Sequence, residues 1–201
     1  MLKIWRSLTI LVALAVGSSL WAAPAQAQSK GTAAAIFAGG CFWCTEHDFD
    51  HIAGVVSTTS GYSGGHVVRP SYAQVSSGKT GHVEAVRVVY DPARISYETL
   101  VSRFFRSIDP SDAGGQFCDR GAPYRATIFV ANKAERRAAE AALQRASLTL
   151  KRPIATQIQA AAAFYPAEAS HQDYWKRNPV RYRFYRYSCG RDKRLKQIWG
   201  R

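Results

Sequence analysis

Apolar and polar positions divide the chain beyond its first 30 residues into short strands alternating with helices. The run "AAAIFAGG" (33–40) is apolar throughout and closes on two glycines, which predicts a buried strand ending in a tight turn. "CFWCTEHDFDHI" (41–52) then opens a helix, with Glu46, Asp48 and Asp50 in the half where the helix dipole favours acids. "GVVSTTSGYSGG" (54–65) reads as a strand running into a glycine-rich loop, and "GHVEAVRVVYDP" (81–92) as a strand stopped by Asp-Pro. "SYETLVSRFFRSI" (96–108) has helical periodicity with Ser96 as its N-cap. Further on, 124–131 predicts a strand, 132–146 a helix opening at Asn132, 153–160 a strand, and 166–177 a helix with proline at its start. From about Pro179 the chain is aromatic, basic and without clear period, which predicts an irregular C-terminal tail. Strands alternating with helices argue an α/β (α+β) chain: a single two-layer domain, a mixed β-sheet with helices packed on it.

The first 27 residues change the picture of where this domain works. Lys3 and Arg6 precede an apolar stretch from Leu8 to Val16, and Ala25-Gln26-Ala27 forms a small-residue cleavage site. That is the layout of a secretory signal peptide, and the apolar stretch is too short to span a bilayer. The expected division is 1–27 leader and 28–201 single domain, periplasmic or secreted, without a stable membrane span. The formal charge of +13 falls to about +11 without Lys3 and Arg6. No nucleic-acid motif accompanies this excess, so it predicts a solvated cationic exterior and no nucleic-acid partner. The only methionine is Met1, so the processed chain contains none to oxidise.

Candidate chemistry lies in the four cysteines, Cys41, Cys44, Cys118 and Cys189. In an exported chain the plainest reading is two structural disulfides. A domain of this size has core enough not to require them, so the surroundings of each cysteine must decide. Cys41 follows a Gly-Gly turn and stands at a helix N-terminus, where unpaired N–H groups and the dipole favour a thiolate. It is a candidate nucleophile, or else a small buried residue at a turn. Cys44 completes a C-x-x-C, a spacing suited to thiol–disulfide exchange and to half a zinc site. No second close pair of ligands follows, so no metal is expected. Thr45 stands where covalent haem attachment requires histidine. Glu84 alternates in phase with Val86 and Val88, so it is either half-buried with a raised pKa, as a general acid requires, or a strand-end carboxylate in water.

With these residues in view, the chain resembles the type A peptide methionine sulfoxide reductases over about Ala35 to Gly190. The resemblance rests on "GCFWCTE" (40–46), "GYSGG" (61–65), Tyr72, "TGHVEAVRVVYDP" (80–92), "CDRGAPYR" (118–125) and "FYPAEASHQDYW" (164–175), in order and correctly spaced. It implies a ferredoxin-like core. It also implies that Cys41 attacks the sulfoxide sulfur and that Phe42 and Trp43 form an apolar pocket for the S-methyl group. Glu84 would protonate the sulfoxide oxygen, Tyr72 and Tyr124 would donate hydrogen bonds to it, and Asp119 would help orient the site through water or neighbouring backbone. The product implied is methionine, from the S epimer at sulfur, with Cys41 left as a sulfenic acid that a second thiol converts to a disulfide.

Two residues are candidates for that second thiol. Cys189 lies in a glycine-flanked tail placed to swing inward and is preferred; Cys44 takes part or relays. Cys118 reads as a buried structural thiol. The tail ends "GRDKRLKQIWGR" without a further cysteine, which argues against a relay to a second tail thiol. The expected partners are proteins or peptides bearing methionine sulfoxide and a thioredoxin-like dithiol protein as electron donor, with no bound cofactor and a monomeric chain. A general thiol–disulfide oxidoreductase built on Cys41-x-x-Cys44 is the alternative enzyme, and a basic binding protein the alternative outside catalysis. The first leaves Glu84, Tyr72 and Tyr124 unexplained; the second would tolerate loss of Cys41.

Overall fold

The computed structural model describes residues 31–200. The expected leader, 1–27, lies outside the described residues. The run of 33–40 forms β1 (Ala33–Ala38), followed by α1 (Phe42–Asp50), β2 (Val55–Ser63), a short α2 (Tyr72–Ser76), β3 (Val83–Tyr90) and α3 (Tyr97–Arg106). Two-residue strands β4 (Gly115–Gln116) and β5 (Asp119–Arg120) pair with each other ahead of a 3₁₀ turn, Ala122–Tyr124. Then come β6 (Thr127–Val130), α4 (Lys133–Leu150), β7 (Gln157–Ala160), β8 (Phe164–Pro166), α5 (Tyr174–Arg177), α6 (Pro179–Ser188) and α7 (Arg191–Trp199).

The main sheet runs β7-β6-β1-β3-β2-β8. Its inner four strands, β6-β1-β3-β2, are antiparallel neighbours throughout. With α1 and α3 as crossovers this is the β-α-β-β-α-β arrangement of a ferredoxin-like core, as expected from the resemblance. β7 adds a parallel edge and β8 an antiparallel one, making the sheet mixed.

Alternation along the strands explains the layers. Ala35 and Phe37 of β1 and Val86 and Val88 of β3 pack with Leu100, Val101, Phe104 and Phe105 of α3 and Ala139 and Ala142 of α4. Ala38, Val83, Ala85 and Phe129 form a small cluster on the opposite face. Glu84 shares the face of Val86 and Val88, toward the helices, and is buried with them. Phe37 stacks between Phe49 and Phe104 with ring centroids at 4.9 and 5.2 Å, which joins α1 and α3 through the central strand.

The predicted caps are present: Ser96 accepts from the Thr99 N–H, and Asn132 from that of Glu135. Two expectations are corrected. The stretch 166–177 is not one helix: Pro166 ends the edge strand β8, where its missing N–H interrupts no inner ladder, and Asp173 takes φ 50°, which delays the helix to Tyr174. The tail is not irregular but two helices, α6 and α7, with Pro179 at the start of the first. Its helical period was obscured because the groups it turns inward are aromatic or charged. Tyr182 is buried, Arg186 bonds to Asp48 at 2.8 Å, and Arg191 is 1% exposed, while Val180, Phe184 and Tyr187 face outward.

Candidate active site

The turn at Gly39-Gly40 is forced by its neighbours. A Cβ on Gly39 would lie 2.9 Å from Thr45 Oγ1 and 3.2 Å from the Phe104 ring. Gly40 has φ +83°, and a Cβ there would stand 2.6 Å from Gln116 Cβ. Gln116 is itself fixed, its amide exchanging hydrogen bonds of 2.9 and 2.8 Å with the backbone of Asp109. The turn delivers Cys41 to the N-cap position of α1, where its carbonyl accepts from the N–H groups of Cys44 and Thr45. The next free N–H, that of Phe42, donates to Glu84 Oε2 at 2.9 Å. Glu84 reaches it from β3, paired in register with Tyr62. The carboxyl group therefore occupies the anion position at the helix terminus, beside the cysteine.

Glu84 is 3% exposed, and burial pushes its pKa up to about 8, with the charges of Asp119 and Cys44 adding to the rise and the Phe42 N–H opposing it. Of its two sequence readings, the buried acid is the one realised. Tyr72, from α2, and Tyr124, from the 3₁₀ turn, have their hydroxyls in mutual hydrogen-bonding contact, and both are held in the neutral phenol form by burial and by Glu84. These residues come from segments far apart in sequence and converge with Cys41 on one site.

Cys41 and Cys44 are both free and buried, 6% and 2% exposed, with their thiols in hydrogen-bonding contact. The predicted lowering of the Cys41 pKa is not what this arrangement produces. Burial raises it, reinforced by the bond to Cys44 and by the charges of Cys44, Glu84 and Asp119. Cys44 is the thiol whose pKa falls, because Cys41 donates to it and because Arg191 and Arg186 stand near, overcoming its own burial. The helix terminus does not reverse this, since its first free N–H is already taken by Glu84.

Phe42 is buried with its ring centroid 5.1 Å from His171 and 6.4 Å from Tyr72. Trp43 is half-buried, stacked on Tyr174 at 3.7 Å and 7°, with its Nε1–H donating to His171 Nδ1 at 3.2 Å. Asp119 Oδ2 accepts from the Tyr185 hydroxyl at 2.6 Å, and that hydroxyl also contacts the Cys41 side chain.

Cys118 corrects a further expectation. It is exposed, not buried, and it forms a disulfide with Cys189. Cys189, preferred from sequence as the resolving thiol, is thus held in a different pair, 3.8 Å from Asp119 Oδ2, while Cys44 touches Cys41. Among the described residues, Cys118, Asp119 and Cys189 bring potential ligand atoms within 4.8 Å of one another, but both sulfurs are consumed by the disulfide.

Sequence reasoning missed Tyr185, Glu168 and His171. Glu168 accepts from the Tyr62 hydroxyl and the Tyr72 N–H, both at 2.7 Å, and so fixes one of the two phenols. Glu168 and His171 sat inside a stretch already singled out, "FYPAEASHQDYW", without a role of their own. Tyr185 lay in the tail, where nothing in the pattern marked it.

A buried acid beside a cysteine, two neutral phenols and a cluster of rings define a site for reducing a small polar group through sulfur chemistry. The family model described as peptide methionine sulfoxide reductase matches residues 33–201. The chain is 50% identical over 196 residues to peptide methionine sulfoxide reductase MsrA 2 of Caulobacter vibrioides, covering 97% of this chain and 99% of that one. It is also 50% identical to MsrA 2 of Rhizobium meliloti, over 83% of each chain. Among solved structures, reduced Mxr1 of Saccharomyces cerevisiae superposes with a TM-score of 0.71 at 30% identity, covering 74% of this chain and 87% of that one. Methionine sulfoxide reductase A of Corynebacterium diphtheriae gives 0.68 at 30%, covering 76% and 78%. The chain belongs to the peptide methionine sulfoxide reductase family. It is an oxidoreductase with redox-active cysteines.

Proposed function

We propose that this chain reduces the S epimer of methionine sulfoxide in proteins or peptides to methionine. The observation that carries this reading is the Glu84 carboxyl, buried and proton-holding near neutral pH, bonded to the N–H of the residue after Cys41. A sulfoxide oxygen is a poor leaving group until it is protonated, and a carboxyl with a pKa of about 8 carries that proton at pH 7. Tyr72 and Tyr124 donate to the same oxygen as negative charge develops on it. Phe42 and Trp43 receive the S-methyl group against the ring of His171. Cys44, with its lowered pKa, takes the Cys41 proton as Cys41 attacks the sulfur. Methionine leaves as the oxygen passes to Cys41, giving a sulfenic acid; a neighbouring thiol then attacks that sulfur, and the hydroxyl leaves as water with the thiol's proton as the disulfide forms. Cys44, N3 to the N-cap Cys41 and already in contact with it, is the nearest such thiol.

The electron donor of this reading is a thioredoxin-like dithiol protein. Mxr1 has been crystallised in complex with Trx2, a chain pair whose Mxr1 shares this fold with a TM-score of 0.52. The leader signature in 1–27 supports export, and with it a periplasmic or secreted location. Among the described residues no helix is long and apolar enough to cross a membrane.

The test is separate supply of R- and S-sulfoxides of an N-blocked methionine with dithiothreitol. Methionine is expected from the S form alone, and none with Cys41→Ser. Equal reduction of both epimers, or persistence of activity in Cys41→Ser, would overturn the reading.

A further inference from the structure

We propose that His47 and His51 form a surface site for a divalent transition-metal ion of the nickel, copper or zinc class, held through their two Nε2 atoms and completed by water. The site is separate from the chemistry proposed above and does not depend on it.

The first argument is placement. His47 lies in α1 and His51 caps its C-terminal end, four residues on. Residues four apart on a helix share a face, and that spacing lets two imidazoles reach one ion. Metal–nitrogen bonds of about 2.1 Å put each ring centre about 3.2 Å from the ion, so two ligands at right angles have centres about 4.5 Å apart. The two ring centroids are 4.5 Å apart. Trp175 packs 5.0 Å from each ring and Tyr182 5.1 Å from that of His47, so the pair is braced before an ion arrives.

The second argument is the proton. His47 Nδ1 lies 3.3 Å from Asp48 Oδ1, and His51 Nδ1 lies 2.7 Å from the His47 carbonyl oxygen. Asp48 is paired with Arg186 and Arg191 and is a carboxylate. A carboxylate and a carbonyl can only accept, so each Nδ1 carries the hydrogen and each neutral ring keeps its lone pair on Nε2. Metal-binding histidines are held in this way, with the second ring nitrogen donating to a carboxylate or a carbonyl. Among the described residues neither Nε2 has a hydrogen-bond partner, and that of His47 is not sealed from solvent. Two other histidines are committed elsewhere: His82 uses both ring nitrogens, and His171 accepts from Trp43 at Nδ1.

The third argument is what the surroundings leave free. Asp48 holds the two arginines, and Asp50 holds Lys176, Thr58 and Trp175. Neither carboxylate remains as a third ligand. Calcium and magnesium seek oxygen ligands and find too few here, whereas nickel, copper and zinc accept imidazole, with water in the remaining positions. No metal was expected from sequence because partners were sought for the cysteines; this pair uses none of them.

The experiment titrates the untagged chain with nickel chloride in a non-chelating buffer, followed by calorimetry. One ion per chain is expected, with a Kd below about 1 mM. His47→Gln and His51→Gln should each weaken binding at least tenfold. His66→Gln, which removes an exposed histidine elsewhere, and Cys41→Ser/Cys44→Ser should bind as the wild type does. Nitrogen NMR of the imidazole rings tests the same site in the wild type, whatever the folding of the variants. Both rings should carry their proton on Nδ1 before metal is added, and nickel should abolish the ring signals of His47 and His51 first. No saturable binding, undiminished binding in either histidine variant, loss of binding in the cysteine variant, or Nε2–H rings in the metal-free chain would overturn the site.

Discussion

Glu84 does the least expected thing for its residue type: it is a carboxyl on the core-facing side of a central strand. Its phase with Val86 and Val88 was readable from the sequence, but burial was not, because the same alternation fits a strand end in water. What decides is α1 lying over that strand position with an unpaired N–H to offer. The same burial has a stability consequence. A carboxyl whose folded pKa is raised from 4.5 to about 8 makes its full contribution below the unfolded value, and loses it as pH rises through about 8. Glu84→Gln keeps the shape without the ionisation. It should therefore lower turnover by about 10²–10⁴-fold, the range for loss of a general acid, yet melt above the wild type at pH 8 to 9. Thermal melts across pH check this; a melting temperature below wild type throughout that range would contradict a raised Glu84. The place of Cys41 at a helix N-terminus was readable from its turn and helix, whereas the protonation of the pair was not. That depends on Arg186 and Arg191 approaching from the tail.

At the scale of elements, the strand–turn–helix around Cys41 is the most legible part of the chain, because Gly-Gly before a helix start has few other uses. The reason for both glycines is tertiary: Thr45 and Phe104 crowd one, Gln116 the other. Gly40→Ala should accordingly do more than strain a left-handed residue. Its methyl group would push against Gln116, which Asp109 holds, so the turn would yield and move Cys41 relative to Glu84. Turnover should fall at least tenfold, with a modest loss of stability of about 1–2 kcal/mol. Urea unfolding paired with steady-state rates separates the two; full activity in a folded Gly40→Ala chain would mean that the turn does not set the nucleophile's position. The strands and the helices with Ser96 and Asn132 caps were legible for ordinary local reasons. The helices α6 and α7 were not, since their inward faces carry Tyr182, Arg186 and Arg191, residues that signal solvent until Asp48 is brought beneath them.

Across the whole molecule, the ferredoxin-like sheet carries Glu84, α1 carries Cys41 at its N-cap, and the C-terminal segment packs against this site. Arg191 joins these parts, donating to the carbonyls of Gly39 and Ser107 and to Asp48. The tail is therefore part of the candidate site's surroundings, bringing Tyr185 to Cys41 and Cys189 to Cys118. Cysteine pairing was the whole-molecule feature least open to sequence, since four cysteines permit several pairings and nothing local distinguishes them. The central claim is that a buried, protonated Glu84 gives its proton to the sulfoxide oxygen as Cys41 attacks. The most direct test is the pH dependence of kcat/KM for an N-blocked methionine S-sulfoxide, in wild type and in Glu84→Gln. The account predicts a falling limb near pH 8 in the wild type that is absent from the residual activity of Glu84→Gln. The same limb persisting in Glu84→Gln would contradict it, and the proton would have to come from elsewhere in the site.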